Sequence, residues 1–200
     1  MTAPVRLTIV YYSSTGTTYA MAQEAAVEGE KAGAEVRLRR VGELAPAEVV
    51  AGNEKWAAHA RETDSIPVAS HDDLLWADAI LLGAPTRFGG PAAQLKQFLD
   101  TTGPLWAAGQ LVDKIVSSFT ATATRHGGQE STILALNNTF YHWGSIIVPP
   151  GYADPIQFQA GNPYGASHIS NNGELLPDDV VLASVGFQTR RLVETTRRFR

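Results

Sequence analysis

Five short apolar runs, each followed by helical spacing or a turn, constrain this 200-residue chain more than any other feature. Val5 to Tyr12 is nearly continuously apolar and rich in β-branched and aromatic residues, and Ala77 to Ala84 (ADAILLGA) and Lys114 to Thr120 (KIVSSFT) are further strand-length runs. Such runs predict strands buried on both faces, as in a parallel sheet. Ala34 to Val41 carries three arginines and is expected nearer an edge, and Gly144 to Pro150 (GSIIVPP) is the fifth run. Helical spacing covers Thr17 to Ala32, Gly90 to Thr102, Glu130 to His142 and Asp178 to Arg200, with one turn at His71 to Trp76. This alternation predicts an α/β fold of parallel strands with right-handed crossovers. We expect a single domain over residues 1–200, with a surface excursion at about 43–70 and a long loop at about 151–177. Trp56, His59 and Arg61 in the excursion are read as solvent-facing or subunit-contact residues.

Ligands of such sheets bind beyond the carboxyl ends of the strands. Four loops are expected there: 13–18, 85–90, 121–129 and 151–173. The first reads Ser13, Ser14, Thr15, Gly16, Thr17, Thr18, five hydroxyls around one glycine at the start of a helix. A helix N-terminus offers unpaired N–H groups and a positive dipole end to an anion. No lysine follows Gly16, so the G-x-x-x-x-G-K-[ST] loop of nucleoside triphosphate sites is absent. A single glycine also excludes the G-x-G-x-x-G dinucleotide fingerprint. Two readings stay open: a grip for one terminal phosphate, as on FMN, or hydroxyls that only cap the helix. One hydroxyl would suffice for the second.

In the second loop, Pro85, Thr86, Arg87, Phe88, Gly89 and Gly90 follow a core strand, with Phe88 suited to cover a flat ring and Arg87 to meet carbonyls or phosphate. The third, Thr120, Ala121, Thr122, Ala123 and on through Gly127, carries the Gly127-Gly128 pair that permits close backbone approach. Other chemistries drop out. No cysteine is present, which removes disulfides, thiolate metal sites and cysteine nucleophiles. The five histidines show no H-E-x-x-H spacing, so no metal is expected, and no G-x-S-x-G elbow occurs. A net charge of −4 argues against nucleic-acid binding. No 18-residue apolar run is present, so no membrane association is expected, and the reading is a cytoplasmic protein.

YYSSTG, GAPTRFGG, KQFLDTTGPLWAAG, HGGQE, SIIVPPGY and GNPYGAS, in that order, cover the chain from about residue 6 to 195. Together they resemble the WrbA-type NAD(P)H:quinone oxidoreductases. The resemblance implies a flavodoxin-like three-layer α/β sandwich with a five-stranded parallel sheet in the order 2-1-3-4-5. It implies FMN as cofactor, NADH or NADPH as cosubstrate, and two-electron reduction of quinones through flavin N5. It places the FMN phosphate on Ser13 through Thr18, the isoalloxazine rim along Pro85 through Gly90, and the third loop against the flavin. It further implies a homotetramer, a dimer of dimers, in which Trp106 walls the substrate cavity of a neighbouring subunit.

Three departures stand out. Gly90 occupies an asparagine position, the third loop has fewer early glycines and the bulky pair Arg125-His126, and His142-Trp143 replaces a histidine pair. Trp143 is therefore expected beside the flavin, with altered quinone reduction. The rivals are a flavodoxin-type electron carrier and an NAD(P)H-dependent reductase of free flavin, azo dyes or nitroaromatics.

Overall fold

The structure, a computed structural model, describes residues 3–200. In chain order it runs β1 (Val5–Tyr11), α1 (Thr17–Lys31), β2 (Ala34–Arg40), α2 (Ala47–Ala51), α3 (Glu54–Glu62), α4 (His71–Trp76), β3 (Ala79–Arg87), β4 (Gly90–Pro91), α5 (Ala93–Asp100), α6 (Gly103–Ala107), β5 (Ile115–Thr122), α7 (Gln129–Trp143), β6 (Ile146–Ile147), α8 (Pro155–Ala160), β7 (Ser167–Ile169) and α9 (Asp179–Arg198). The main sheet has the order β2-β1-β3-β5-β6, and all its pairs are parallel. Counting only the five principal strands, this is the order 2-1-3-4-5. The strand order reverses between β1 and β3, which opens a crevice at their carboxyl ends.

Alternate side chains of each central strand point to opposite faces, and each face has its own core. Val10, Ile80, Leu82 and Val116 pack with Leu74 of α4, Leu95 and Leu99 of α5, and Leu136 and Phe140 of α7. Leu7, Ile9, Leu81 and Phe119 pack on the other face with Met21 and Ala25 of α1 and Leu192 and Val193 of α9. The result is a three-layer sandwich, helices on both sides of a sheet.

The edge beyond β5 is built in two pieces. β6 pairs with Ile115 and Val116, and β7 pairs with Thr120 through Thr122. The intervening chain, including α8, leaves the sheet and returns. Backbone groups of β5 exposed by that gap need partners. Gln188 of α9 provides one, donating to Ser118 O at 2.8 Å and Ser117 Oγ at 2.6 Å, while its amide oxygen accepts from Ala166 N at 2.8 Å.

Several boundaries differ from the sequence reading. The fourth principal strand runs on to Thr122, because Thr120 to Thr122 gain β7 as a partner. α5 starts at Ala93 rather than Gly90, because Gly90 and Pro91 turn back to pair antiparallel with Arg87 and Thr86. Residues 151–177 contain α8 and β7 and are not structureless. Between 43 and 70 lies a nine-residue helix, α3, whose N-terminus is capped by Asn53 accepting from Trp56 N.

Candidate functional site

α1 opens on Gly16, in the left-handed conformation (φ 97°), and no side chain caps it. The first-turn N–H groups of a helix have no intrahelical acceptors, so they remain available. Ser13 Oγ accepts from Gly16 N at 3.1 Å and thereby shapes the turn without capping the helix. Thr17 and Thr18 are buried, and Thr17 Oγ1 has no hydrogen-bond partner. A buried hydroxyl left unpaired costs about 1–3 kcal/mol. Simple capping does not account for that arrangement.

Thr17 faces a cavity of about 290 Å³ at the carboxyl edge of the sheet. Ser13, Ser14, Thr15 and Thr18 complete one wall. Pro85, Thr86 and Arg87 form a second wall, and Ala121, Thr122, Ala123 and Gly127 a third. Arg87 is the one charged residue among the described residues of the lining; its guanidinium donates to Thr86 O at 2.9 Å and reaches Ser14 Oγ at 3.5 Å. The third wall is fixed from behind. Thr122 Oγ1 donates to Thr124 O at 2.8 Å and accepts from Gln129 Nε2 at 3.2 Å, while Gln129 Oε1 accepts from Ser167 Oγ.

Other residues singled out in the sequence lie beside the cavity or away from it. Gly16 sets the helix start from outside the lining. Thr120 is fully buried and donates to Ala84 O at 2.7 Å, which ties β5 to β3. Gly89 packs against Gly128, and Gly90 pairs with Arg87 across the hairpin. Phe88 stands fully exposed at the hairpin tip with φ 52°, so within one chain it covers nothing. Thr124, Ser170, Asn172 and Gly173 also line the cavity; they fall in the expected loops 121–129 and 151–173 but were not named individually. The Asn171-Asn172-Gly173 run was the available signal, since these residue types favour left-handed turns.

Trp143 requires a correction. It is 4% exposed, with its ring 5.8 Å from that of Phe140 in the core over α5 and α7. α7 starts at the cavity and spans 15 residues, about 22 Å at 1.5 Å per residue. Its last residue therefore lies at the opposite end of the sheet, near β6, and Trp143 does not line this chain's cavity. Trp106 follows α5 to that same far end and is 54% exposed, also remote from the chain's own cavity. His59 is corrected as well: it is buried behind the phosphate-type loop. Its ring lies 5.4 Å from that of Tyr19, and its Nδ1 would be 3.7 Å from a Cβ on Gly16. Burial lowers its pKa, and Glu62 at 3.7 Å opposes that shift.

The excursion is tied to Tyr12, the residue before the first loop, and to α5 through Glu43. Its carboxylate accepts from Tyr12 Oη (2.8 Å), Trp56 Nε1 (3.1 Å), Gln94 Nε2 (2.6 Å), Leu44 N (2.8 Å) and Ala45 N (2.9 Å). Burial pushes this carboxyl up, but the Ala45 N–H, the Gln94 amide, the Tyr12 hydroxyl and the Leu44 N–H outweigh it and hold Glu43 below its ordinary value. Burial and Glu43 together push the Tyr12 phenol up. Among the described residues no cluster of potential metal ligands occurs, and no helix is long and apolar enough to cross a membrane.

An uncapped helix start, a buried orphan hydroxyl and two further loops around one cavity fit a flavin mononucleotide. The comparisons with known proteins agree. A family profile described as NADPH-dependent FMN reductase matches residues 7–158. A protein of Deinococcus radiodurans described as NAD(P)H dehydrogenase (quinone) is 50% identical over 197 residues, covering 98% of each chain. Another of that description, from Geotalea uraniireducens, is 44% identical over 97% of this chain and 98% of its own. Among solved structures, a WrbA-like flavodoxin from Agrobacterium tumefaciens superposes with a TM-score of 0.68 at 22% identity, over 98% of this chain and 99% of its own, which bears on the fold. The chain belongs to the NADPH-dependent FMN reductase family, in its WrbA-type flavodoxin-like branch.

Proposed function

We propose that the protein is an NAD(P)H:quinone oxidoreductase that holds FMN in the cavity between α1, β3 and β5. The observation that carries the assignment is the unpaired, buried Thr17 hydroxyl at the uncapped start of α1, which a phosphate oxygen would satisfy. Bound there, the flavin supplies two-electron exchange between a reduced nicotinamide and a quinone.

The chain's own residues bind and orient. Ser13, Thr15, Thr17 and Thr18 offer hydroxyl donors to the phosphate, and the first turn of α1 offers N–H groups. Pro85 through Arg87 would flank the ring system on one side. The backbone of 121–127 would flank it on the other and would offer N–H donors to negative charge on the ring. Arg87 lies against Ser14 and supplies the site's formal positive charge. No side chain is required as nucleophile or strong acid.

The assembly we propose is a homotetramer, a dimer of dimers. Trp106, Tyr141 and Val112 are large, exposed and gathered toward the far end of the sheet, and exposed apolar groups of that size mark contact surfaces. Phe88, exposed at the hairpin tip, would be covered in the same way. We assign the cysteine-free chain to the cytoplasm. The family description also favours a second reading, reduction of free flavin. Steady-state oxidation of NADH and NADPH by the FMN-loaded protein, with benzoquinone or excess free FMN as acceptor, separates the two. Turnover with quinone is expected. Turnover with free flavin alone overturns the primary reading.

A further inference from the structure

The phosphate end of the cavity has a roof that neither the family resemblance nor the helix-start logic assigns. Beyond β7 the chain turns sharply through Ser170, Asn171, Asn172 and Gly173, and the last three have φ values of 46°, 57° and 81°. Three successive left-handed residues, two of them with a Cβ, form an unusual backbone that persists only where the surroundings hold it. Here they do. Ser170 N donates to Thr122 O at 2.7 Å, and Ser170 Oγ donates to the same carbonyl at 3.1 Å while accepting from Gly173 N at 3.2 Å. Leu175 N closes the turn on Ser170 O at 2.9 Å. The turn is thus fastened to the end of β5, the strand that supplies the cavity's third wall.

Its free side meets the phosphate-type loop. Ser170, Asn172 and Gly173 line the same cavity as Thr15 and Thr17. At Gly173 the approach is close: a Cβ there would lie 2.5 Å from Thr15 Oγ1 and 3.2 Å from Thr15 Cβ. The two loops form a seam with no room for a side chain at Gly173.

We propose that the Ser170–Gly173 turn is the specificity-determining element at this end of the site: it accepts a terminal phosphomonoester and rejects a flavin whose phosphate continues into a second phosphate and nucleoside. The inference rests on the flavin assignment above. A phosphomonoester ends inside the pocket and presents its outer oxygens to hydroxyls, N–H groups and the Asn172 amide. A phosphodiester must instead carry a chain onward between the walls, and the contact of Gly173 with Thr15 leaves no gap between these two loops for it. The Asn172 amide is a neutral donor, so it adds a phosphate contact without adding charge.

The test uses apoprotein titrated with FMN, FAD and riboflavin, read by quenching of flavin fluorescence. For the unaltered chain, FMN should bind at least about 100-fold more tightly than FAD. Asn172→Gly keeps the left-handed backbone and removes the amide; FMN affinity should fall about tenfold while riboflavin, which lacks phosphate, stays within about twofold. Thr15→Ala/Asn172→Gly opens the seam and should raise the FAD-to-FMN affinity ratio at least about tenfold. The proposal is overturned if the unaltered chain binds FAD within about tenfold of FMN, or if the variants shift all three flavins by one common factor, as a merely structural turn would. Failure of the unaltered chain to bind any flavin overturns the cofactor assignment itself and this inference with it.

Discussion

Replacing Thr17 by valine should act in opposite directions on the empty protein and on the complex. The hydroxyl is buried without a partner at the start of α1. An unsatisfied buried polar atom costs about 1–3 kcal/mol, and valine fills the same space with a methyl group. Apoprotein carrying Thr17→Val should therefore gain about 1–2 kcal/mol of stability, some 2–4 °C in Tm for each kcal/mol in a chain of this size. Bound phosphate changes the sign. A hydrogen bond to a charged acceptor contributes about 1.5–3 kcal/mol, so FMN affinity should fall roughly 10- to 100-fold. Riboflavin affinity should stay unchanged, because the lost contact is to phosphate. Urea denaturation of apoprotein and fluorescence titration with both flavins provide the measurements. A variant that is less stable as apoprotein and binds FMN as tightly as before would refute the reasoning.

Trp143→Ala should cost about 3–5 kcal/mol of stability, since it empties a core site beside Phe140, and leave the FMN affinity of the folded fraction unchanged; urea melts and flavin titration check both. Glu43→Ala strands the Tyr12 phenol and four other donors. Because part of that cluster is solvent-exposed, the expected loss is only about 1–3 kcal/mol, read by denaturant titration. Gly83→Ala would place a Cβ 2.2 Å from Phe119 Cζ and should leave little folded protein, seen as loss of a cooperative thermal transition. Acid should unfold the chain in a defined window. Burial pushes Asp73 up, but the Ser70 N–H and hydroxyl and the Arg39 guanidinium hold it below its ordinary value, and Arg6 does the same for Asp78 against burial. Carboxyls with depressed folded pKa values stabilise the fold above their unfolded value of about 4 and lose that contribution as pH falls below it; Tm measured from pH 6 down to 3 should drop mainly over the last unit or so.

The strands and helices were legible because the central runs are strand-length and each helix is punctuated by glycine or polar residues, whereas the order of the sheet came only with the family resemblance. The first three walls of the site were legible for a related reason: they directly follow core strands, so their place at the carboxyl edge follows from topology. The roof was not. Ser170 to Gly173 reaches the phosphate loop only because the fifth strand position is filled in two pieces, and a two-residue β6 and three-residue β7 carry too little periodicity to announce that. Trp143 was expected beside the flavin because it stands where the resembled family has a histidine, but within one chain it ends α7, a helix about 22 Å long, and is packed in the core. His59 likewise lay in a polar stretch whose helix is specified by the Asn53 cap and by packing on Tyr19, contacts that local sequence does not reveal.

Anaerobic stopped-flow mixing of the FMN-loaded protein, first with NADPH or NADH and then with a quinone, tests the central claim most directly. The nicotinamide should rapidly bleach the flavin's visible absorbance and quinone should restore it in full, each within the time of one steady-state turnover. Bleaching that quinone does not reverse on that timescale, or a flavin that the nicotinamide leaves oxidised, would contradict it.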